Sequence, residues 1–348
     1  MKLAGVIALL APGQGAQTPG MLAPWLAAPD ARATVARWSD AAGLDLERLG
    51  TTATAEEIRD TAVTQPLVVA TALLAHAALL DRLGAAGAPP PALDAVVAGH
   101  SVGELAAAAV AGVLDPEVAV ALAAVRGREM AEACASTPTG MSAVLGGHPD
   151  EVLARLEELG LDPANRNGAG QVVAAGPVAA LAALAAQPPA RARVVPLAVA
   201  GAFHTRYMTP AQEALAAHAA SVTPHDPTAT LLSNADGAAV TDGADALARL
   251  VAQVTRPVRW DSCQAALRER GVTALIELPP AGTLVGLAKR ELRGVPALAL
   301  RTPDDLDAAV ALLAEHGGGA GSPAQDAPAQ DSPVQDAPAQ DAPAGSGR

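Results

Sequence analysis

The chain reads as an α/β protein: a large domain built on a mostly parallel sheet, with a small α+β insert. Three observations predict this. Short apolar β-type runs alternate with longer Ala/Leu-rich stretches of helical character over residues 1 to 316. The rhythm changes between Met141 and Val199, where strand-like and helical runs are shorter. A Gly-His-Ser-Val-Gly turn at 99 to 103 lies between an apolar run and a helical one. The length of 348 residues suits one large domain with an insert. A hydrophobic fraction of 51% and a charged fraction of 17% lie near globular averages and exclude a wholly disordered, collagen-like or disulfide-dense chain.

In chain order, the apolar run Leu3 to Ala11 after Lys2 is read as a buried first strand, Gly5 to Leu10, rather than a secretory leader, because it ends in the turn sequence Pro12-Gly13-Gln14-Gly15. Ala95 to Ala98, Ala229 to Leu232 and Ala274 to Leu278 are the other strands predicted for the large sheet. The insert reads as strands Met141 to Leu145, Val172 to Ala175 and Arg193 to Leu197, separated by helices Asp150 to Gly160 and Val178 to Ala186. Pro138, Gly140 and Gly201 mark hinges. From Gly317 to Arg348 a Pro recurs at every fifth residue in a Gly/Ser/Ala/Gln/Asp background, which predicts a disordered, extended tail. Ala-rich runs are composition bias and read as helix filler. No stretch of 18 uninterrupted apolar residues predicts a membrane span.

Composition narrows the partners. One Phe, one Tyr and three Trp cannot build a stacking platform for single-stranded nucleic acid, and a net charge of −13 argues against a phosphate-backbone ligand. Four aspartates and one arginine in the tail leave a net charge of −10 on residues 1 to 316. Cys134 and Cys263 are far apart and lack metal-ligand spacing, so reduced, buried thiols in a cytoplasmic protein are expected, with no metal.

The chemistry centres on Ser101. A strand–turn–helix with flanking glycines is what a nucleophile elbow requires: it aims the hydroxyl out of the sheet and leaves the Val102 amide facing a developing oxyanion. Of the seven histidines, His76, His148, His218 and His316 read as surface residues, and His225 lies between Pro224 and Pro227. His204 follows the strand-like run ending at Val199, in a turn with the only Phe, and suits a base delivered by a loop; His100 adjoins Ser101 but should point away from it. Gln14, directly after the first strand, offers a second oxyanion amide. Its loop lacks the Lys-Ser/Thr ending and third glycine of nucleotide-binding loops. Arg126 emerges from an apolar helix some 25 residues after Ser101 and suits a substrate bearing a free carboxylate, whereas Arg128 reads as a helix-surface residue.

Together these residues resemble the malonyl-CoA:acyl carrier protein transacylase family. The motifs are Gly13 to Gln17, Thr64-Gln65-Pro66, Gly99 to Glu104, Arg126-Gly127 with Met130, Asn167 to Val173 with Gly176, Gly201 to Thr205 with Met208, and Gln253 with Pro257-Val258 and Trp260. They follow the family order across residues 5 to 295. The resemblance implies an α/β-hydrolase-like large domain (1–136 and 200–316) with a ferredoxin-like insert at 137–199. It further implies that Ser101 is acylated, that His204 is the base and later the acid, that Arg126 clamps the malonyl carboxylate, and that the amides of Gln14 and Val102 form the oxyanion hole. Gln253 would help orient the histidine loop, and no acidic third member is implied, since a buried carboxylate would compete for Arg126. Gln65, Met130 and Asn167 would support the site, and Phe203 would favour malonyl over branched acyl groups. No cofactor is expected; the partners implied are coenzyme A thioesters and an acyl carrier protein bearing phosphopantetheine, with the enzyme itself a monomer. A basic patch of Lys289, Arg290 and Arg293, extended by Arg256 and Arg259, would receive the acidic carrier protein. The chain departs from the family at Pro279 and Ala281, where glycines are usual. A serine hydrolase shares the elbow, base and oxyanion donors, but has no use for a buried cation such as Arg126. A scaffold that has lost catalysis would not keep Ser101, His204 and Arg126 together.

Overall fold

Strand β1, Val6–Ala11 (VIALLA), is buried along nearly its whole length, as a central parallel strand covered on both faces should be. The computed structural model describes residues 5–87 and 95–317; the repeat tail beyond Gly317, residues 1–4 and Asp94 lie outside them. The strands that follow are β2 (Ala95–Gly99), β3 (Thr139–Gly146), β4 (Asp162–Gly168), β5 (Gln171–Pro177), β6 (Ala192–Pro196), β7 (Thr230–Leu232), β8 (Ala239–Val240), β9 (Val272–Glu277) and β10 (Ala297–Ala299). The large sheet has the order β10-β9-β1-β2-β7-β8, parallel except for the terminal β8.

The period-2 alternation of β1 divides the large core. Ile7, Leu9 and Ala11 join Trp25, Trp38 and the helix Thr61–Ala85 on one face, while Ala8 and Leu10 join Trp260, Leu284 and Leu287 on the other. The helix Thr61–Ala85 is long and apolar enough to cross a membrane, but 72% of its most apolar window is buried inside the fold, so it is the core helix of this layer. His76 on this helix is half-buried rather than at the surface, lines a second cavity of about 730 Å³, and has its pKa lowered by burial to about 4. His316 is also half-buried; His148, His218 and His225 are exposed.

The second sheet is antiparallel with order β4-β5-β3-β6. Its chain order is strand–helix–strand–strand–helix–strand, with helices Pro149–Glu158 and Val178–Ala186, which is the ferredoxin-like arrangement. Both helices pack on one face through Val144, Val152, Leu156, Leu181 and Leu184. The opposite face, with Met141, Ala143 and Val173, turns toward the large sheet's carboxyl edge. Gly140 is not a hinge: it lies within β3, paired with Gly176. Strand β4 was not expected, because Asp-Pro-Ala-Asn-Arg-Asn-Gly is poor in β-formers. Pairing with β5, with two register shifts, and a bridge from Asn165 to Val258 hold it extended.

At the end of β9 the Glu277 carboxylate accepts from the amides of Gly282 (2.8 Å), Leu284 (3.0 Å) and Val285 (2.8 Å), capping the helix Thr283–Glu291. This bond set fixes the loop that carries Pro279 and Ala281.

Candidate active site

The carboxyl ends of β1, β2, β7 and β9 meet at one edge, the position where parallel sheets present ligands. There the elbow forms as the sequence predicts. A Cβ on Gly103 would overlap the Ala11 and Pro12 carbonyls, and one on Gly99 would overlap the Gly103 backbone, so strand and helix approach more closely than any larger residue allows. Ser101 sits in the left-handed region at φ 54°, at a cost of order 1–3 kcal/mol that the surroundings must offset. The helix it opens is Gly103–Val110.

Ser101 Oγ lies 2.7 Å from His204 Nε2. His204 Nδ1 lies 2.8 Å from the carbonyl oxygen of Gln253; a carbonyl only accepts, so the proton is on Nδ1 and the Nε2 lone pair faces the serine hydroxyl. Burial, aided by the nearby Arg126 charge, lowers the His204 pKa to about 3, so the imidazole is a neutral base at pH 7. The loop delivering it is tied to the start of β3 by Ala202 N–H donating to Thr139 Oγ1 (3.0 Å) and is closed by Thr205 Oγ1 donating to Ala202 O (2.7 Å). A Cβ on Gly201 would overlap Cys134 Sγ, which explains the glycine there. His100 turns away from the serine: its Nε2 donates to Asn167 Oδ1 (2.9 Å) and its ring meets Trp260 edge-on at 5.6 Å.

Arg126 is 2% exposed and projects from the helix Pro116–Ser136 into the same site. Nη1 donates to Gln65 Oε1 (2.6 Å), and Nη2 donates to Gln253 Oε1 (3.0 Å) and lies 3.4 Å from Ser101 Oγ. Burial lowers its pKa to about 10, which leaves it charged at pH 7. Gln65 Nε2 reaches Met130 Sδ at 3.5 Å, so both residues act as the floor of the guanidinium pocket. A cleft of about 240 Å³ runs from these groups between the two sheets and is lined also by Gln14, Val102, Asn167, Phe203 and Leu287. Among the described residues the amides of Gln14 and Val102 donate to no protein atom, which leaves both open toward the cleft.

Two of the buried polar residues around the elbow, Glu104 and Asn234, have no role in the sequence reading. Glu104, 4% exposed, accepts from the Asn234 amide (2.6 Å) and from Gln253 Nε2. Burial raises its pKa to about 7. Asn234 side-chain Oδ1 accepts the Ser101 amide at 2.9 Å. Glu104 was detectable as the one charge in the helix Gly-Glu-Leu-Ala-Ala-Ala-Ala-Val, and Asn234 as a polar residue just past a sheet strand. A buried carboxylate therefore does stand near Arg126, with the Gln253 amide bonded to both, but it is not a third member behind the base, because His204 Nδ1 faces the Gln253 carbonyl.

The basic cluster is split. Lys289, Arg290 and Arg293 are exposed at the end of the helix Thr283–Glu291, whose Thr283, Leu284 and Leu287 line the cleft. Arg259 does not extend the patch, because Asp261 neutralises it at 2.9 Å. Arg128 pairs with Glu129 on the helix surface. Cys134 and Cys263 are both free thiols, the former half-buried.

The acyl transferase domain family matches residues 9–310. A malonyl CoA-acyl carrier protein transacylase of Mycobacterium tuberculosis is 64% identical over 302 residues, covering 87% of this chain and 98% of that protein. The Escherichia coli K12 protein of the same name is 36% identical over 312 residues, covering 88% and 99%. A crystal structure of the M. tuberculosis protein superposes with a TM-score of 0.84 at 63% identity, covering 87% of this chain and 99% of that one. A malonyl-transacylase solved with a type II polyketide acyl-carrier protein superposes at 0.79 with 31% identity, covering 88% and 99%.

Proposed function

Because this chain belongs to the acyl transferase family, as a malonyl-CoA:acyl carrier protein transacylase, we propose that its own residues move malonyl from coenzyme A to a carrier-protein thiol through an ester on Ser101. The observation that carries the residue assignment is Arg126: a buried, permanently charged guanidinium 3.4 Å from the nucleophilic oxygen is a receptor for an acyl group that itself ends in a carboxylate.

His204 Nε2 takes the Ser101 proton as Oγ attacks the thioester carbonyl, and the negative oxygen that forms is received by the amides of Gln14 and Val102. The imidazolium then gives its proton to the departing coenzyme A sulfur. In the second half the phosphopantetheine thiol of the carrier protein loses its proton to His204 and attacks the ester, and Ser101 Oγ recovers a proton from the imidazolium. The Gln253 carbonyl holds the His204 ring in the one tautomer that works in both halves. No metal or organic cofactor enters this sequence of steps. Phe203, 7% exposed beside the base, fills the space that a 2-methyl group on the acyl chain would need. Lys289, Arg290 and Arg293 receive the acidic carrier protein at the cleft mouth, about 9 Å along the helix from Thr283. The enzyme works as a monomer in the cytoplasm, supplying chain extension in fatty-acid or polyketide synthesis.

Intact-protein mass spectrometry after mixing with malonyl-CoA tests this. Wild type should gain one malonyl group, Ser101→Ala none and Arg126→Ala little, and added holo carrier protein should remove it. Loss of the adduct to water at the same rate with or without carrier protein would identify a hydrolase instead.

A further inference from the structure

Asn234 lies two residues past β7, the neighbour of the elbow strand β2, and is wholly buried. Its side chain spans the elbow: Oδ1 accepts the Ser101 amide (2.9 Å) while Nδ2 donates to the Gly99 carbonyl (2.7 Å). Oδ1 also accepts from Gln253 Nε2 (3.2 Å), and Nδ2 lies 3.6 Å from Cys263 Sγ, so the amide's two donors and two acceptor sites are all engaged. The Asn234 backbone amide in turn donates to Glu104 Oε1 (2.6 Å), on the first turn of the elbow's own helix. From the other side Gln253 Nε2 donates to the Ser101 carbonyl (3.2 Å). Both peptide groups of a residue in a strained conformation are therefore held by buried side-chain amides. A buried carboxylate is costly unless its bonds are used, and those of Glu104 go to the two residues that hold Ser101.

We infer that Asn234, anchored by Glu104, is a positioning residue for the nucleophile: it clamps Ser101 in its left-handed conformation and removes the Ser101 amide from the oxyanion site, leaving that site to Val102 and Gln14. This rests on the reading of Ser101 as the acylated residue. Asn234 touches neither the cleft nor Arg126, and Arg126 stays held by Gln65 and Gln253 without it. The clamp therefore acts on acyl transfer and leaves malonyl-CoA recognition alone.

Replacing Asn234 with Ala and measuring both steady-state constants tests the clamp. A displaced nucleophile predicts a fall in kcat of about 10- to 100-fold with KM for malonyl-CoA within about twofold. Unchanged kcat, or a KM that rises in step with a falling kcat, overturns it. Asn234→Asp keeps the shape and decides the matter if the Ala variant does not fold. A protonated Asp can still donate to the Gly99 carbonyl, whereas the carboxylate repels it, so kcat relative to wild type should climb as pH falls from about 8 to about 5.5. Taking that ratio cancels the titration of the substrate, which both proteins share; Glu104 and Cys263 face the new carboxyl, and repulsion between it and Glu104 raises its pKa toward that window. A flat ratio refutes the clamp. Malonyl loading of wild-type Ser101 is the control: its failure removes the underlying assignment, whereas an equal rate of loading in wild type and Asn234→Ala removes only the clamp.

Discussion

Removing the Arg126 guanidinium separates recognition of the acyl carboxylate from the chemistry at Ser101. The two terminal nitrogens are held by Gln65 Oε1 at 2.6 Å and Gln253 Oε1 at 3.0 Å, in a pocket with 2% exposure of the arginine. A malonyl carboxylate meeting that fork forms a buried, charge-assisted pair, and truncating one member of such a pair costs about 2–5 kcal/mol. At 1.4 kcal/mol per tenfold, Arg126→Ala should lower kcat/KM for malonyl-CoA by about 30- to 4,000-fold. Acetyl-CoA carries no carboxylate and should lose little, so the ratio of the two specificity constants is the informative quantity. Arg126→Lys should recover only part of the loss, since one ammonium cannot present the planar fork. The variant also strands the two glutamine oxygens, each worth about 1–3 kcal/mol of stability, so unfolding must be followed alongside. Hydrolysis-corrected transfer rates with both thioesters decide it: parallel losses for malonyl and acetyl would show that Arg126 supports the fold of the site and not the acid.

Other perturbations probe the remaining parts. Phe203→Ser should shift the specificity ratio toward methylmalonyl-CoA by about 1–3 kcal/mol, about 5- to 150-fold, and an unmoved ratio in competition assays would remove Phe203 from selectivity. Reversing Lys289 and Arg290 to Glu should raise KM for the carrier protein several-fold at low salt and leave KM for malonyl-CoA alone; equal effects on both would refute docking there. Burial raises the Glu104 pKa from 4.5 to about 7, so the folded state binds a proton that the unfolded chain has already released, and this group withdraws stability as pH rises through that window. His204, lowered from 6.5 to about 3, acts in the opposite sense and adds stability as pH rises. Glu104→Gln should thus gain stability relative to wild type between about pH 4.5 and 7, read by denaturant unfolding at several pH values, and a constant difference would mean that Glu104 does not titrate there.

What was legible in the sequence followed from local rules. Val6–Ala11 is apolar throughout, Gly99 and Gly103 frame a serine, and the helix at Val178–Ala186 was predicted to the residue. The His204 loop was legible because the only Phe and a glycine mark it, and Arg126 because a charge interrupts an apolar helix. Strand β4 escaped because its register is imposed by β5 and by Val258, almost a hundred residues on, against its own propensity. Arg259 was miscounted for a similar reason: its counter-charge, Asp261, lies two residues away and pairs with it only once the chain turns into the helix Trp260–Glu269. Asn234 escaped because nothing local distinguishes an asparagine just past a strand from one that makes a turn; the elbow groups it holds, the Ser101 amide and the Gly99 carbonyl, lie more than 130 residues back in the chain.

The partner of His204 Nδ1 can be understood through the charge balance of the site. A carboxylate there would stabilise the imidazolium, as in serine hydrolases. It would also be a second anion beside the malonyl carboxylate, within reach of the same guanidinium, and like charges at that range raise each other's pKa. The Gln253 carbonyl orients the ring without adding charge, while its side-chain oxygen holds Arg126 and its side-chain nitrogen reaches Glu104. Glu104 is thus kept one amide away from the arginine, close enough to balance its charge and too engaged to occupy the fork. When a malonyl group enters, Arg126 faces two carboxylates, and the group that yields is the one whose charged form burial already disfavours. Binding of malonyl should therefore push Glu104 further toward its neutral form, so that acylation of Ser101 takes up a fraction of a proton near neutral pH. Calorimetric malonyl loading in buffers of different ionisation enthalpy would register that uptake, and Glu104→Gln should abolish it; buffer-independent heats in the wild type would mean that Glu104 keeps the same charge throughout.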